Sequence, residues 1–259
     1  MLNPRIIPCL LVHKKGLVKT VKFSSPKYVG DPINAVKIFN EKEADELIVI
    51  DIDASVEKRE PDFTMIGHLA AECRMPLCYG GGIKTLEQAK KIIGLGVEKV
   101  AVSSGIISNP GLIPQIASEI GSQSVVAVLD VKKTGRGPVY EIFTHNGRKK
   151  TGICPVEFAE KAQSLGAGEV VINSIDNDGQ MKGYDMELAK IIGDVINIPM
   201  TMLGGAGSLN DIGTLISNIG IVGCAAGSLF VFKGTYKAVL INYPSREAKN
   251  KIIDDFFQY

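Results

Sequence analysis

Half-way along this chain its punctuation repeats, and no other feature limits the possible folds as strongly. Gly80-Gly81-Gly82 recurs as Gly204-Gly205-Ala206-Gly207, Asp51 as Asp176, and Ser103-Ser104 as Gly227-Ser228, at offsets of 124, 125 and 124 in a sequence of 259 residues. A fixed period means one structural unit used twice. Each half must therefore hold whole elements whose loops end in the same place.

Short β-rich runs alternate with helix-like stretches in both halves, as in successive βα units around a parallel sheet. The runs are RIIPCLLV from Arg5, ELIVIDID from Glu46, PLCYGG from Pro76, EKVAVSS from Glu98, SVVAVLDV from Ser124, EVVINSI from Glu169, PMTMLGG from Pro199 and IGIVGCAA from Ile219. Between them, INAVKIFNEKEA, TLEQAKKIIGLG and VEFAEKAQSLGAG place apolar residues near helical spacing, with Gly at the exits. An open, doubly wound sheet would share this alternation, but the repeat argues against it. Two four-stranded halves facing each other predict an α/β fold of the (β/α)8 (TIM) barrel type, one domain over residues 1–259, with the matched loops at its C-terminal rim. The segment His13 to Gly30 reads as a long loop suited to a lid. VYEIFTHNGRKKTG, with Asn146-Gly147 at its centre, reads as a hairpin over the mouth.

Composition removes several function classes. With 29 Lys+Arg against 28 Asp+Glu the net charge is +1, so no global field recruits nucleic acid or an anionic membrane. The start MLNPRIIPCLLVHKK, broken by Arg5, fits neither a signal peptide nor a span, and a cytoplasmic protein is expected. Cys9, Cys73, Cys78, Cys154 and Cys224 are scattered without Cys-x-x-Cys spacing; neither a metal site nor disulfides are expected.

Glycine-rich turns at strand ends let backbone N–H groups approach an anion. Two such clusters are predicted: Gly81, Gly82, Ser103 and Ser104 in one half, and Gly179, Gly204, Gly205, Gly227 and Ser228 in the other. Tight turns alone would also explain a single glycine run, but its duplication favours a ligand with two phosphates. Alternate strand residues share a face, so Arg5, Ile7, Cys9 and Leu11 point inward about 6.6 Å apart. By the same parity Asp130 points inward at the top of the fifth strand, as a candidate general acid or base rather than a loop cap. Asp51 and Asp176 read as loop anchors. At the opposite end Arg5, Glu46, Lys99 and Glu169 start four strands and form a neutral ring of alternating charge. By position alone that ring is a stabilising plug.

RIIPCL, GDPINA, DELIVIDIDASVEKR, YGGGI, NPGLIPQIASEIGSQSVVAVLD, NSIDNDGQMKGYD and GGAGS together resemble the signature segments of the cyclase subunit of imidazole glycerol phosphate synthase, the HisF family, over nearly the whole chain. The resemblance implies no cofactor. It implies a barrel docked through its N-terminal face to a class I glutaminase, whose ammonia crosses the barrel to the C-terminal face. Arg5, Glu46, Lys99 and Glu169 match the family's gate to that passage, which reverses the plug reading. Glu98 and Gln123 match the glutaminase-facing surface, Glu98 standing for an aspartate. Gly82, Ser104, Asp178, Gly179, Gly205 and Ser228 match phosphate-site positions, whereas Ser103 stands where an asparagine is usual.

The chemistry departs from the family at one decisive point. The family uses an aspartate on the first strand and another on the fifth; the second is Asp130, but the first position is Leu11. Leucine can neither ionise nor accept a hydrogen bond, and an acid–base group contributes roughly 10²–10⁴-fold. Asn173 and Leu203 replace small hydroxyl residues near the substrate. His13 and Lys19 could stand in for Leu11 only from positions that do not point inward. The sequence is similar to a branch associated with converting sugar N-acetyl groups to acetamidino groups for surface polysaccharides, beside a separate ATP-using amidotransferase. The alternatives are an ordinary histidine-pathway cyclase and a barrel without turnover that activates its glutaminase.

Overall fold

The computed structural model describes residues 3–135 and 139–257. Eight parallel strands close on themselves: β1 (Arg5–His13), β2 (Leu47–Asp51), β3 (Leu77–Gly80), β4 (Lys99–Val102), β5 (Val125–Lys133), β6 (Glu169–Ser174), β7 (Met200–Leu203) and β8 (Gly223–Ala226). Each pairs with the next, and β8 returns to β1 through Arg5↔Gly223 and Ile7↔Ala225. This is the expected (β/α)8 barrel. The last run is shorter than expected because Ile219 ends a helix and Gly220, at φ 86°, turns the chain before β8 begins.

Helices follow the strands because local signals start them there. Asp31, Asp62, Thr85, Asp185 and Ser208 cap helix N-termini with side-chain oxygens that accept otherwise unpaired backbone N–H groups. Ser208 and Asp211 form a reciprocal capping box. The strands bury two layers. Outward residues such as Leu47, Tyr79 and Ile172 meet the helices, while Ile7, Cys9, Ile48, Cys78, Val128, Val171 and Leu203 belong to a separate inner cluster. Period-two alternation separates the layers, and Leu11 and Ile50 pack on the inner one.

The half-length repeat is visible in the backbone. Gly81 and Gly205 adopt φ of 120° and 111°, and a Cβ on either would overlap a neighbouring carbonyl, that of Asp51 or of Gly183. Glycine is required at both. Short helices Ser104–Ser108 and Ser228–Val231 then follow β4 and β8, with similar dihedrals at the residue before each.

Two rim segments differ in how well they were foreseen. The Asn146-Gly147 hairpin forms as expected, from Tyr140–Thr144 and Lys149–Lys150, and Asn146 Nδ2 donates to Ile52 O at 2.9 Å, tying it to the loop after β2. The segment from His13 to Gly30 is not a loop. Gly16–Val21 and Ser24–Gly30 are antiparallel strands that continue from β1. Lys14 and Lys15, both at positive φ, make the tight turn. The hairpin is held from its far side, where Thr20 Oγ1 and Phe23 N donate to Asp178 Oδ2 at 2.7 and 3.1 Å.

Candidate functional site

Asp130 points into the C-terminal mouth. Register places it beside Asn173, whose Nδ2 donates to Asp130 Oδ1 at 3.0 Å, and Ser103 Oγ donates to Oδ2 at 3.4 Å. Burial lifts the carboxyl from 3.8 to about 7; the two hydrogen bonds pull it down and the nearby Asp178 pushes it up. A carboxyl that titrates near neutrality can both give and take a proton. Around it Leu11, Ile50, Val128 and Leu203 make the floor apolar. The mouth thus presents the Asp130 carboxyl opposite an apolar side chain at Leu11.

Both glycine-rich clusters line the same pocket, from Gly81, Gly82, Ser103 and Ser104 on one side to Gly179, Gly204, Gly205, Gly227 and Ser228 on the other. Asp178 also lines it, but its carboxylate is engaged by Thr20 and Phe23, so it fixes the first hairpin against the sixth loop. Asp51 and Asp176 are loop anchors as expected. Asp51 accepts from Arg59 Nη2 at 2.7 Å and from the amides of Asp53 and Ala54, and Asp176 accepts from Lys133 N at 2.9 Å.

Lys19 was expected to point away from the mouth, and it does not. Its strand is covered on both faces, and the side chain, 5% exposed, enters the pocket, where Nζ donates to Cys9 O at 2.5 Å. A Cβ on Gly227 would touch that nitrogen, so the amine sits beside the second glycine-rich loop. Burial lowers its pKa, opposed by Cys9 and Asp178. Among the described residues no carboxylate lies within ion-pair distance of it. His145 also reaches the pocket from the second hairpin.

The N-terminal mouth carries the four-residue ring. Arg5 bonds Glu46 through Nη1 and Glu169 through Nη2 at 2.8 Å; Lys99 Nζ bonds Glu46 at 2.8 Å and Glu169 at 2.9 Å. Burial works against the charge on Arg5 and Lys99, but the two carboxylates outweigh it and raise both pKa values. Burial likewise opposes ionisation of Glu169, and the two cations overcome it. Thr201, absent from the sequence reading, adds its hydroxyl to Glu169 at 2.6 Å. Strand parity turns it inward, but its contact with Glu169 depends on register between strands. Glu98 and Gln123 are exposed at this end, Glu98 accepting from Leu77 N at 2.6 Å. Among the described residues no His, Cys, Asp or Glu cluster could hold a metal ion, and no helix is long and apolar enough to cross a membrane.

A closed (β/α)8 barrel with a titratable carboxyl among glycine-rich loops at its C-terminal mouth belongs to the class of barrels whose chemistry is built on the βα loops. Within that class the chain belongs to the histidine biosynthesis protein family, whose model matches residues 5–237. It is 60% identical to a Leptospira interrogans protein provisionally named imidazole glycerol phosphate synthase subunit HisF, over 97% of this chain and 99% of the relative. A Pseudomonas aeruginosa relative, also provisionally named as such a subunit, is 50% identical over 94% of this chain and 97% of its own length. The Lactococcus lactis subsp. cremoris (strain SK11) imidazole glycerol phosphate synthase subunit HisF, named without qualification, is 42% identical over 82% of each chain. The chain is a HisF-like member of the imidazole glycerol phosphate synthase family.

Proposed function

We propose that this chain is the ammonia-accepting barrel of a glutamine amidotransferase complex. A class I glutaminase docks on the N-terminal face around Glu98 and Gln123, and ammonia passes the ring of Arg5, Glu46, Lys99 and Glu169 toward the C-terminal mouth. The ammonia then serves amidination of an N-acetyl sugar for surface polysaccharide, with a separate ATP-using amidotransferase, in place of histidine-pathway ring closure. One contrast carries the reading: the ring is complete and fully paired, while the acid–base pair is reduced to Asp130 opposite an apolar floor containing Leu11. The inner apolar column between them suits a small neutral molecule and disfavours ions. The glycine-rich loops are read as the seat of a phosphorylated ligand, held by backbone N–H groups.

A second reading has its own support. Lys19 is buried beside Gly227, so an amine stands in the pocket that lacks the second carboxylate, and histidine-pathway cyclisation could run through Lys19 and Asp130. The two readings separate in one experiment. The chain is co-expressed with a class I glutaminase, and the purified complex is given glutamine with either the aminated ribulosyl pathway's bisphosphate intermediate or an N-acetyl sugar plus the ATP-using enzyme. Product from the sugar alone supports the first reading. Robust turnover of the bisphosphate refutes it.

A further inference from the structure

Thr201 is wholly buried on β7, in a barrel core that has no general need for a hydroxyl. Its Oγ1 donates to Glu169 Oε1 at 2.6 Å and lies 3.5 Å from Arg5 Nη2. The neighbouring position on β8, in register with it, is Gly223. A Cβ there would overlap Thr201 Oγ1, so the hydroxyl has room only because β8 carries glycine at this level. Gly223, at the start of β8, brings no side chain to pack there, and a buried hydroxyl is unfavourable unless bonded. Two locally unfavourable choices on adjacent strands therefore combine to place one donor on one carboxylate.

The donor makes the ring asymmetric. Among the described residues Glu169 accepts from Arg5, Lys99 and Thr201, whereas Glu46 accepts from Arg5 and Lys99 alone. If Lys99 leaves, Glu169 keeps two donors. Without the Thr201 hydroxyl it would keep one, and a buried carboxylate stripped of donors is strongly disfavoured. Lys99 is also the ring member with a single nitrogen on a flexible stem, while the Arg5 fork is fixed by bonds to Glu46, Glu169 and Thr201.

We infer that Thr201 is a positioning residue of the ring: it pins Glu169 against Arg5, so that the ring opens by release of Lys99 from Glu169, on the side of Glu46 and Lys99. The inference rests on reading the ring as a gate, yet its test involves no ammonia.

In full-length chain labelled with 15N at lysine side chains, the exchange of Lys99 ammonium protons with water reports how often the ring opens, and Lys99→Met assigns the signal. Thr201→Val should slow that exchange at least about threefold, because departure of Lys99 then leaves Glu169 with Arg5 alone. Thr201→Ser should restore the wild-type rate. Thr201→Cys, a weaker donor, should slow exchange to a smaller extent and serves if the valine variant does not fold. A hydroxyl that only fills space predicts the opposite sign, since removing its bond loosens the ring. Unchanged or faster exchange in the folded variants overturns the inference while leaving ammonia passage to be judged separately from the coupling of glutamine hydrolysis to product.

Discussion

Asp130→Asn should make the protein more stable, and increasingly so as pH rises. The carboxyl titrates near 3.8 in an unfolded chain and about 7 in the fold, because burial disfavours its charge. Below 3.8 it is protonated in both states and has no effect. Between those values the unfolded chain loses its proton while the folded one keeps it, so stability falls by about 1.36 kcal/mol per pH unit. Above 7 the loss levels off at about 4 kcal/mol, an upper limit because the carboxyl faces an open pocket. Asparagine keeps the shape, an oxygen to accept from Asn173 and an amide that can donate to Ser103 Oγ, without the charge. Denaturant unfolding of both proteins at pH 5 and pH 8 measures the difference, which should grow by about 2–3 kcal/mol between them. The buried Lys19 is common to both proteins and its contribution cancels to first order. A difference that stays constant within about 0.5 kcal/mol, the scale of an ordinary surface substitution, would refute the reasoning and return Asp130 to the normal carboxylate range.

Lys99→Ala in the complex with a glutaminase should raise the glutamate released per aminated product. A variant destabilised by about 3–5 kcal/mol with an unaltered ratio would instead identify a plug. The isolated chain should show no lyase or cyclase turnover with ammonium salts and the bisphosphate intermediate, and Leu11→Asp should gain some; strong wild-type turnover contradicts this. Inorganic phosphate should shift the amide resonances of Gly82 and Ser104, or of Gly205 and Ser228. If neither cluster responds at saturating phosphate, the anion sites must be abandoned.

The barrel was legible because its signals are local or periodic. Glycines at equal offsets and strand parity were enough to locate the rim and to turn Asp130 and the ring residues inward. The first hairpin was hidden because Leu17, Val18, Lys19 and Thr20 are all buried, so Gly16–Val21 lacks the alternation that marks a strand covered on one side. A lysine in such a run reads as solvent-facing, and its inward direction is set by contacts with other strands and loops, Cys9 O and Gly227. Thr201 was missed for a different reason. Its partner is chosen by the stagger between β6 and β7 and by the missing Cβ of Gly223, relations between strands that no single segment encodes.

The ring at the base carries two positive and two negative side chains in alternation, an arrangement with neither net charge nor a large dipole. The potential of such a quadrupole falls off much faster with distance than that of a single ion. None of its members is among the groups that shift Asp130, whereas Cys78, close to the ring, is affected by Glu46, Glu169 and Lys99. The ring's field therefore weakens quickly along the barrel toward the mouth. Substitutions at mouth positions such as Leu11, Ser103, Asn173 and Leu203 should accordingly leave the base little changed. A scaffold wired this way behaves as a socket with an interchangeable head.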